Sequence, residues 1–167
     1  LKIGILSDSH GHVDRLRAAV QTLRTAGVET IVHCGDVGPV ECLSVLAASA
    51  VPCYVVAGNM DHDVQALAEA AALHGVCFHE RFVAVPLDDG RQLAVLHGHD
   101  VIQLNRLLVN GEYAYVCRGH THKAADVRTG DVRVINPGGL HNCRPYTVAV
   151  LDTQTDDLQF LPVSLKP

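Results

Sequence analysis

In the first half of the chain, apolar residues come in short runs, separated by stretches where they recur every three or four positions. KIGIL, TIVHC and CYVVA have the length and β-branched content of buried strands. Between them, Val13, Leu16, Val20 and Leu23 mark one face of a helix that ends at Gly27. Val40, Leu43 and Leu46 mark a second helix, with Gly38-Pro39 at its start. A third carries Val64, Leu67 and Ala71 and stops at Gly75. Strands alternating with helices predict βαβ units and a largely parallel sheet.

After Gly75 the pattern changes. RFVAVPL and RQLAVLH flank Asp88-Asp89-Gly90, a hairpin turn by composition, so the sheet becomes mixed. Asp100 is placed to cap a helix with Val101, Leu104 and Leu108 inward and Asn110-Gly111 at its end. EYAYVC, DVRVI, YTVAVL and DLQFLPV read as four more strands. So many strands exceed one doubly wound sheet and predict an α/β architecture of two packed sheets with helices outside. The sequence has no repeats, low-complexity tracts or linkers, and its 167 residues are most economically one domain, 1–167.

Composition narrows the partners. A net charge of -5 leaves no electrostatic footprint for nucleic acid or an anionic membrane. No run approaches the roughly 18 apolar residues of a membrane span, and LKIGIL reaches Asp8 too soon for a signal segment, so the expected address is cytoplasmic. Cys34, Cys42, Cys53, Cys77, Cys117 and Cys143 are scattered without a C-x-x-C pair and read as reduced, buried thiols. Histidine is out of proportion: eleven, beside four Tyr, three Phe and no Trp, which raises the question of metal.

The polar residues fall at strand ends. KIGIL is followed by SDSH, TIVH by CGD, CYVVA by GNMD, QLAVL by HGH, YAYVC by RGHTH and VRVI by NPGG. Ligands of open α/β sheets bind beyond the carboxyl ends of the strands, so these loops are expected to converge on one edge. Convergence gathers Asp8, His10, Asp36, Asn59, His97, His120 and His122. Four imidazoles, two carboxylates and an amide oxygen suit two ions better than one, with a carboxylate spanning ions about 3.5–4 Å apart. Within DSH and HTH, residues at i and i+2 are expected to reach inward from the same side of an extended segment. Each cluster alone has a bland role, such as Asp61 capping the third helix; five clusters at five strand ends carry the metal-centre reading.

In order and wording, DSH, GD, GNMD, HGH and GHTH resemble the calcineurin-like metallophosphoesterase superfamily, in particular its small single-domain phosphodiesterases, from about Ile3 to Asn136. The resemblance implies a four-layer αββα sandwich of two mixed β-sheets flanked by helices, with metals at the rim of the sheets. It implies Asp8, His10, Asp36 and His122 on a first divalent ion, and Asn59, His97 and His120 on a second, with Asp36 shared. Manganese is the first expectation, with iron, zinc, nickel or cobalt as alternatives that ligand chemistry does not separate. The implied substrate is a small-molecule phosphodiester attacked by a bridging hydroxide, with activity falling below about pH 6.5 as ligand imidazoles protonate. Small members of the family often self-associate, which puts a homo-oligomer among the expectations.

Met60 departs from the pattern. Many superfamily members have at that position a histidine that protonates the leaving oxygen, and a thioether has no such proton. This favours diesters and activated leaving groups, with Asp61 left to cap the helix or orient its neighbour. His99 is the nearest candidate for a substitute acid or phosphate contact, whereas His12, His62 and His141 read as helix-end or surface residues. The retromer scaffold subunit resembles the same fold, also lacks that histidine and works by protein contact, so a metal-binding scaffold is the alternative to an enzyme.

Overall fold

The computed structural model describes residues 1–165. Strands β1 (Lys2–Leu6), β2 (Thr30–His33) and β3 (Cys53–Val56) alternate with helices α1 (Val13–Thr25), α2 (Glu41–Ala47) and α3 (Val64–His74), and β4 (Cys77–His79) follows. Next come β5 (Phe82–Pro86), β6 (Gln92–Leu96), α4 (Val101–Val109), β7 (Tyr113–Cys117), β8 (Ala125–Thr129), β9 (Val132–Asn136), β10 (Thr147–Asp152) and β11 (Asp157–Pro162). One sheet has the order β11-β10-β1-β2-β3-β4, the other β5-β6-β7-β9-β8. β1 to β4 run parallel, as the βαβ reading expects, while β10 is antiparallel to β1 and the β5–β6 hairpin is antiparallel, so both sheets are mixed.

Alternation along the strands builds three apolar layers. Ile3 and Ile5 of β1 face Leu93 and Val95 of β6 between the sheets, with Tyr115, Cys117 and Ile135. Leu6 points the other way, among Leu16, Leu23, Leu43, Leu46 and Leu67 of α1, α2 and α3. On the far side of the second sheet, Ala94, Leu96, Val116 and Val132 pack with Leu107 of α4. Helices, sheet, sheet and helix thus form the four layers. Among the described residues, the six cysteines are free, and no helix is long and apolar enough to cross a membrane.

Three local readings are corrected or completed. In α4, Leu104 and Leu108 pack on the core as expected, but Leu107 is the buried residue and Val101 is 61% exposed. β4 and β8, segments the sequence reading left unassigned, join as edge strands. α3 is capped by Asp63, whose Oδ1 accepts from Ala66 N–H at 3.0 Å, leaving Asp61 for another role.

Candidate metal centre

The carboxyl ends of β1, β2 and β3 meet those of β6 and β7 at one rim, where the loops are stitched together by backbone hydrogen bonds. Asp8 N–H donates to Gly35 O at 3.0 Å, His10 N–H to Asp36 O at 2.9 Å and Gly119 N–H to His97 O at 3.0 Å. Such close contact needs residues without Cβ. At Gly58 a Cβ would collide with the Asp36 backbone and carboxylate, and at Gly119 with Ser7 and Asp8.

The loops are not extended. Asp8 (φ 56°), His10 (44°), Asp36 (53°), His120 (67°) and His122 (56°) all have left-handed backbones. This corrects the pleated picture of DSH and HTH: alternate left-handed residues curl each segment, and the curl turns both side chains to the same side. Each such residue costs of order 1–3 kcal/mol, and the concentration of strain in the polar loops marks a functional site.

Those side chains converge. Ligating atoms of Asp8, His10 and His122 lie within 4.8 Å of one another, as do those of Asp8, Asp36 and His97. Asp36 Oδ2 is 3.4 Å from His10 Nε2 and 3.3 Å from His97 Nε2, and so stands between two sets of donors. Asn59 Oδ1 is 3.0 Å from His97 Nε2. The His120 ring is more exposed, its centroid 5.1 Å from that of His97, and it belongs to neither three-residue group. His99 is exposed, its centroid 5.4 Å from that of His97 and 6.2 Å from that of His120, and it lines a cleft beside the cluster with His62, Arg81 and Asp100.

The donors suit a cation. Among the described residues, Asp8 Oδ1 and His10 Nε2 are buried without a hydrogen-bond partner, although Asp8 Oδ1 is 3.2 Å from His122 Nε2. Buried polar atoms seldom go unpaired, and unpaired atoms facing one another point to a shared missing partner. The outer nitrogens agree with this. His97 Nδ1–H donates to Cys34 O at 2.8 Å and His122 Nδ1–H to His141 O at 2.7 Å, turning both Nε2 atoms inward as in metal-binding histidines.

Burial lowers the His97 pKa, but the hydrogen bond and charge of Asp36 outweigh it and hold the imidazole above its ordinary 6.5. Burial likewise raises Asp36, and the bonds from His97 and Met60 N–H outweigh that, bringing the carboxyl to about 2. His10 and His120 are lowered, chiefly by burial, and are neutral at pH 7. The sign follows by linkage. The His97 contribution to metal-free stability is full below pH 6.5 and lost as pH rises through its folded pKa; that of Asp36 is present above 3.8 and lost as pH falls toward 2. Metal ligation requires a neutral imidazole, so an ion held by His97 would compete with its proton, and the affinity for a divalent ion is expected to weaken as pH falls, with protons released on uptake. Calorimetry in two buffers of different ionisation enthalpy reads this release; identical heats would refute it.

Three residues outside the expected ligand set hold the site: Asp61, expected as a helix cap or as orienting its neighbour, His141, expected at a helix end or the surface, and His33, which the sequence reading did not single out. Buried Asp61 accepts N–H groups of Val37, Gly38 and Gly58 at 3.0, 2.9 and 2.8 Å, tying the loop after β2 to that after β3. His33, fully buried and held neutral by burial with a pKa of about 3, hydrogen-bonds Ser9 Oγ at 2.9 Å. His141 packs its ring 4.5 Å from that of His10. Met60 N–H donates to Asp36 Oδ1 at 2.9 Å, while its side chain is 53% exposed beside Pro39 and Val40.

Layered sheets that bring carboxylates and imidazoles to a common rim are the architecture of metal-dependent phosphoesterases. Comparison with known proteins places the chain within that class: it belongs to the calcineurin-like phosphoesterase superfamily, whose domain matches residues 1–156. A phosphodiesterase of Methanocaldococcus jannaschii is 32% identical over 163 residues, covering 92% of this chain and 94% of the relative. A solved archaeal phosphodiesterase superposes with a TM-score of 0.88 at 29% identity, covering 97% of this chain and 99% of that one. The Escherichia coli phosphoesterase Yfce, at 19% identity and a TM-score of 0.68, covers 98% and 100% and shows the same fold.

Proposed function

We propose that the protein hydrolyses small-molecule phosphodiesters at a dinuclear centre, with Asp8, His10, Asp36 and His122 holding one divalent ion and Asn59, His97 and His120 the other. The observation that carries this reading is Asp36 Oδ2, set 3.3–3.4 Å from imidazoles of both sets. Mixed nitrogen and oxygen donors without thiolate suit manganese, with iron, zinc, nickel or cobalt as alternatives. When bound, a pair of divalent ions supplies a hydroxide nucleophile near neutral pH and neutralises charge on the phosphoryl oxygens.

The chain's own residues do the rest. Asp36 stays ionised at any working pH, so the shared position keeps its charge. The hydrogen bonds of His97 and His122 to backbone carbonyls keep their inward nitrogens in place. Buried Asp8 accepts the His120 backbone N–H at 3.2 Å, fixing the loop after β7 against that after β1. The test is turnover of bis(p-nitrophenyl) phosphate: added Mn²⁺ raises it and a chelator abolishes it. Bound metal without turnover of any diester would favour an assembly scaffold.

Protonation of the leaving oxygen falls to His99, exposed in the cleft beside His97. Met60→His adds an acid on the other loop and raises alkyl ester hydrolysis about tenfold, less than the 10²–10⁴-fold such groups contribute because His99 already serves in part, while p-nitrophenyl esters change little. Phosphate release from an alkyl monoester and from its p-nitrophenyl counterpart reads the difference. No gain on the alkyl ester would mean that leaving-group protonation does not limit the rate.

A further inference from the structure

Beside the cluster, a cavity of about 440 Å³ opens between the start of α1 and the loop after β9, lined by His12, Arg15, His141, Arg144 and Tyr146 among others. This volume is within the range of small-molecule sites, about 300–1,000 Å³. It shares a wall with the first ligand set. The His141 ring stands 4.5 Å from His10, its carbonyl accepts from His122 Nδ1, and its own Nδ1 lies 2.8 Å from His12 Nε2.

The chemistry of the cavity is cationic in a chain of net charge -5. Among the described residues, the arginines paired with carboxylates are Arg17, Arg81, Arg91, Arg128 and Arg133, and neither Arg15 nor Arg144 is one of them. The nearest acid in sequence, Asp14, is taken by Arg17 at 2.9 Å. The guanidinium carbons of Arg15 and Arg144 lie 4.6 and 4.4 Å from the centroid of the buried Tyr146 ring. Arg15 is also tied to Leu140 O at 3.0 Å, so it cannot swing away without breaking that bond. Both guanidinium groups line one cavity without a carboxylate partner, so an anion bound there is attracted by the two charges together. A planar fork of donors suits phosphate in particular.

We propose that this cavity is a subsite for a second, non-reacting phosphate of the substrate. Among phosphodiesters, the protein then prefers those whose arm on the His141 side carries a further phosphate. The proposal deepens the phosphodiesterase reading and rests on it for turnover, though not for binding.

The test compares the p-nitrophenyl ester of thymidine 5′-phosphate with the same ester carrying a 3′-phosphate, on Mn²⁺-loaded protein. The 3′-phosphate is expected to raise kcat/KM about tenfold or more through KM, as charge-assisted contacts do. Calorimetry is expected to find thymidine 3′,5′-bisphosphate bound tighter than the 5′-monophosphate by a similar factor. Arg144→Gln, at an exposed position, lowers both ratios several-fold, and Arg144→Gln combined with Arg15→Gln brings them close to one. Equal kcat/KM for the two esters in the native chain, or ratios unmoved by both substitutions, would overturn the subsite. If neither ester turns over while the bisphosphate still binds tighter through Arg144, the hydrolytic reading fails and the subsite stands.

Discussion

Asp36→Asn removes most of the activity, on the order of a thousandfold in kcat, and lowers the bound metal to at most one ion per chain. The substitution keeps the shape of the side chain and removes the charge that two sets of imidazoles share at 3.3–3.4 Å. A neutral amide cannot serve two cations with one anionic group, and the loss of such preorganised electrostatics is among the costliest changes in a site of this type. The fold tolerates it, because the asparagine oxygen still accepts Met60 N–H in place of Asp36 Oδ1. Turnover of bis(p-nitrophenyl) phosphate together with elemental analysis checks both outcomes. Native metal content with unchanged rate would place the shared position elsewhere.

Asp61→Ala has the second large effect, and it acts on stability. The carboxylate is 6% exposed and is the acceptor for three backbone N–H groups. Removing it strands those donors in the rim, and with about 1–3 kcal/mol for each buried donor left unpaired, the metal-free protein loses on the order of 4 kcal/mol. Because Val37 follows Asp36 directly and Gly58 precedes Asn59, loosening the tie also misplaces two ligands and weakens metal binding. Urea unfolding in the presence of chelator measures the first effect. A loss under about 1 kcal/mol would mean that water replaces the carboxylate. Asp61→Asn falls between, since its amide oxygen still accepts.

How much of this was legible in the sequence depends on the range of the interactions. The strands that lead into Asp8, Asp36, Asn59, His97 and His120 were readable because each is a short apolar run followed by polar residues, and topology does the rest. The edge strands were not. CFH is three residues long and pairs only with β3, while ADVRT pairs only with β9 and leaves its one valine 54% exposed, so neither has an alternating apolar signal. On α4, Leu104 and Leu108 pack on the core as expected, whereas Val101 was misread and Leu107 missed because the two look alike in sequence and differ only in what lies beneath them.

At the site, donor types were readable and backbone conformation was not. Nothing in DSH announces that its aspartate and histidine are left-handed, since the strain is imposed by the neighbouring loops that hold them. Asp61 and Asp63 are equally plausible caps two residues apart, and only the approach of Val37 and Gly38 distinguishes them. His33 gave a faint signal, a histidine inside an otherwise apolar strand. His141 gave none, because its neighbours His10 and His12 lie more than a hundred residues earlier.

The central claim is that one aspartate joins two cation sites. Anomalous diffraction at the manganese edge, from crystals grown with Mn²⁺, tests it directly. The account predicts two peaks flanking the Asp36 carboxylate, one toward His10 and His122 and the other toward Asn59, His97 and His120, about 3.5–4 Å apart. A single peak, or two that do not share Asp36, would contradict it.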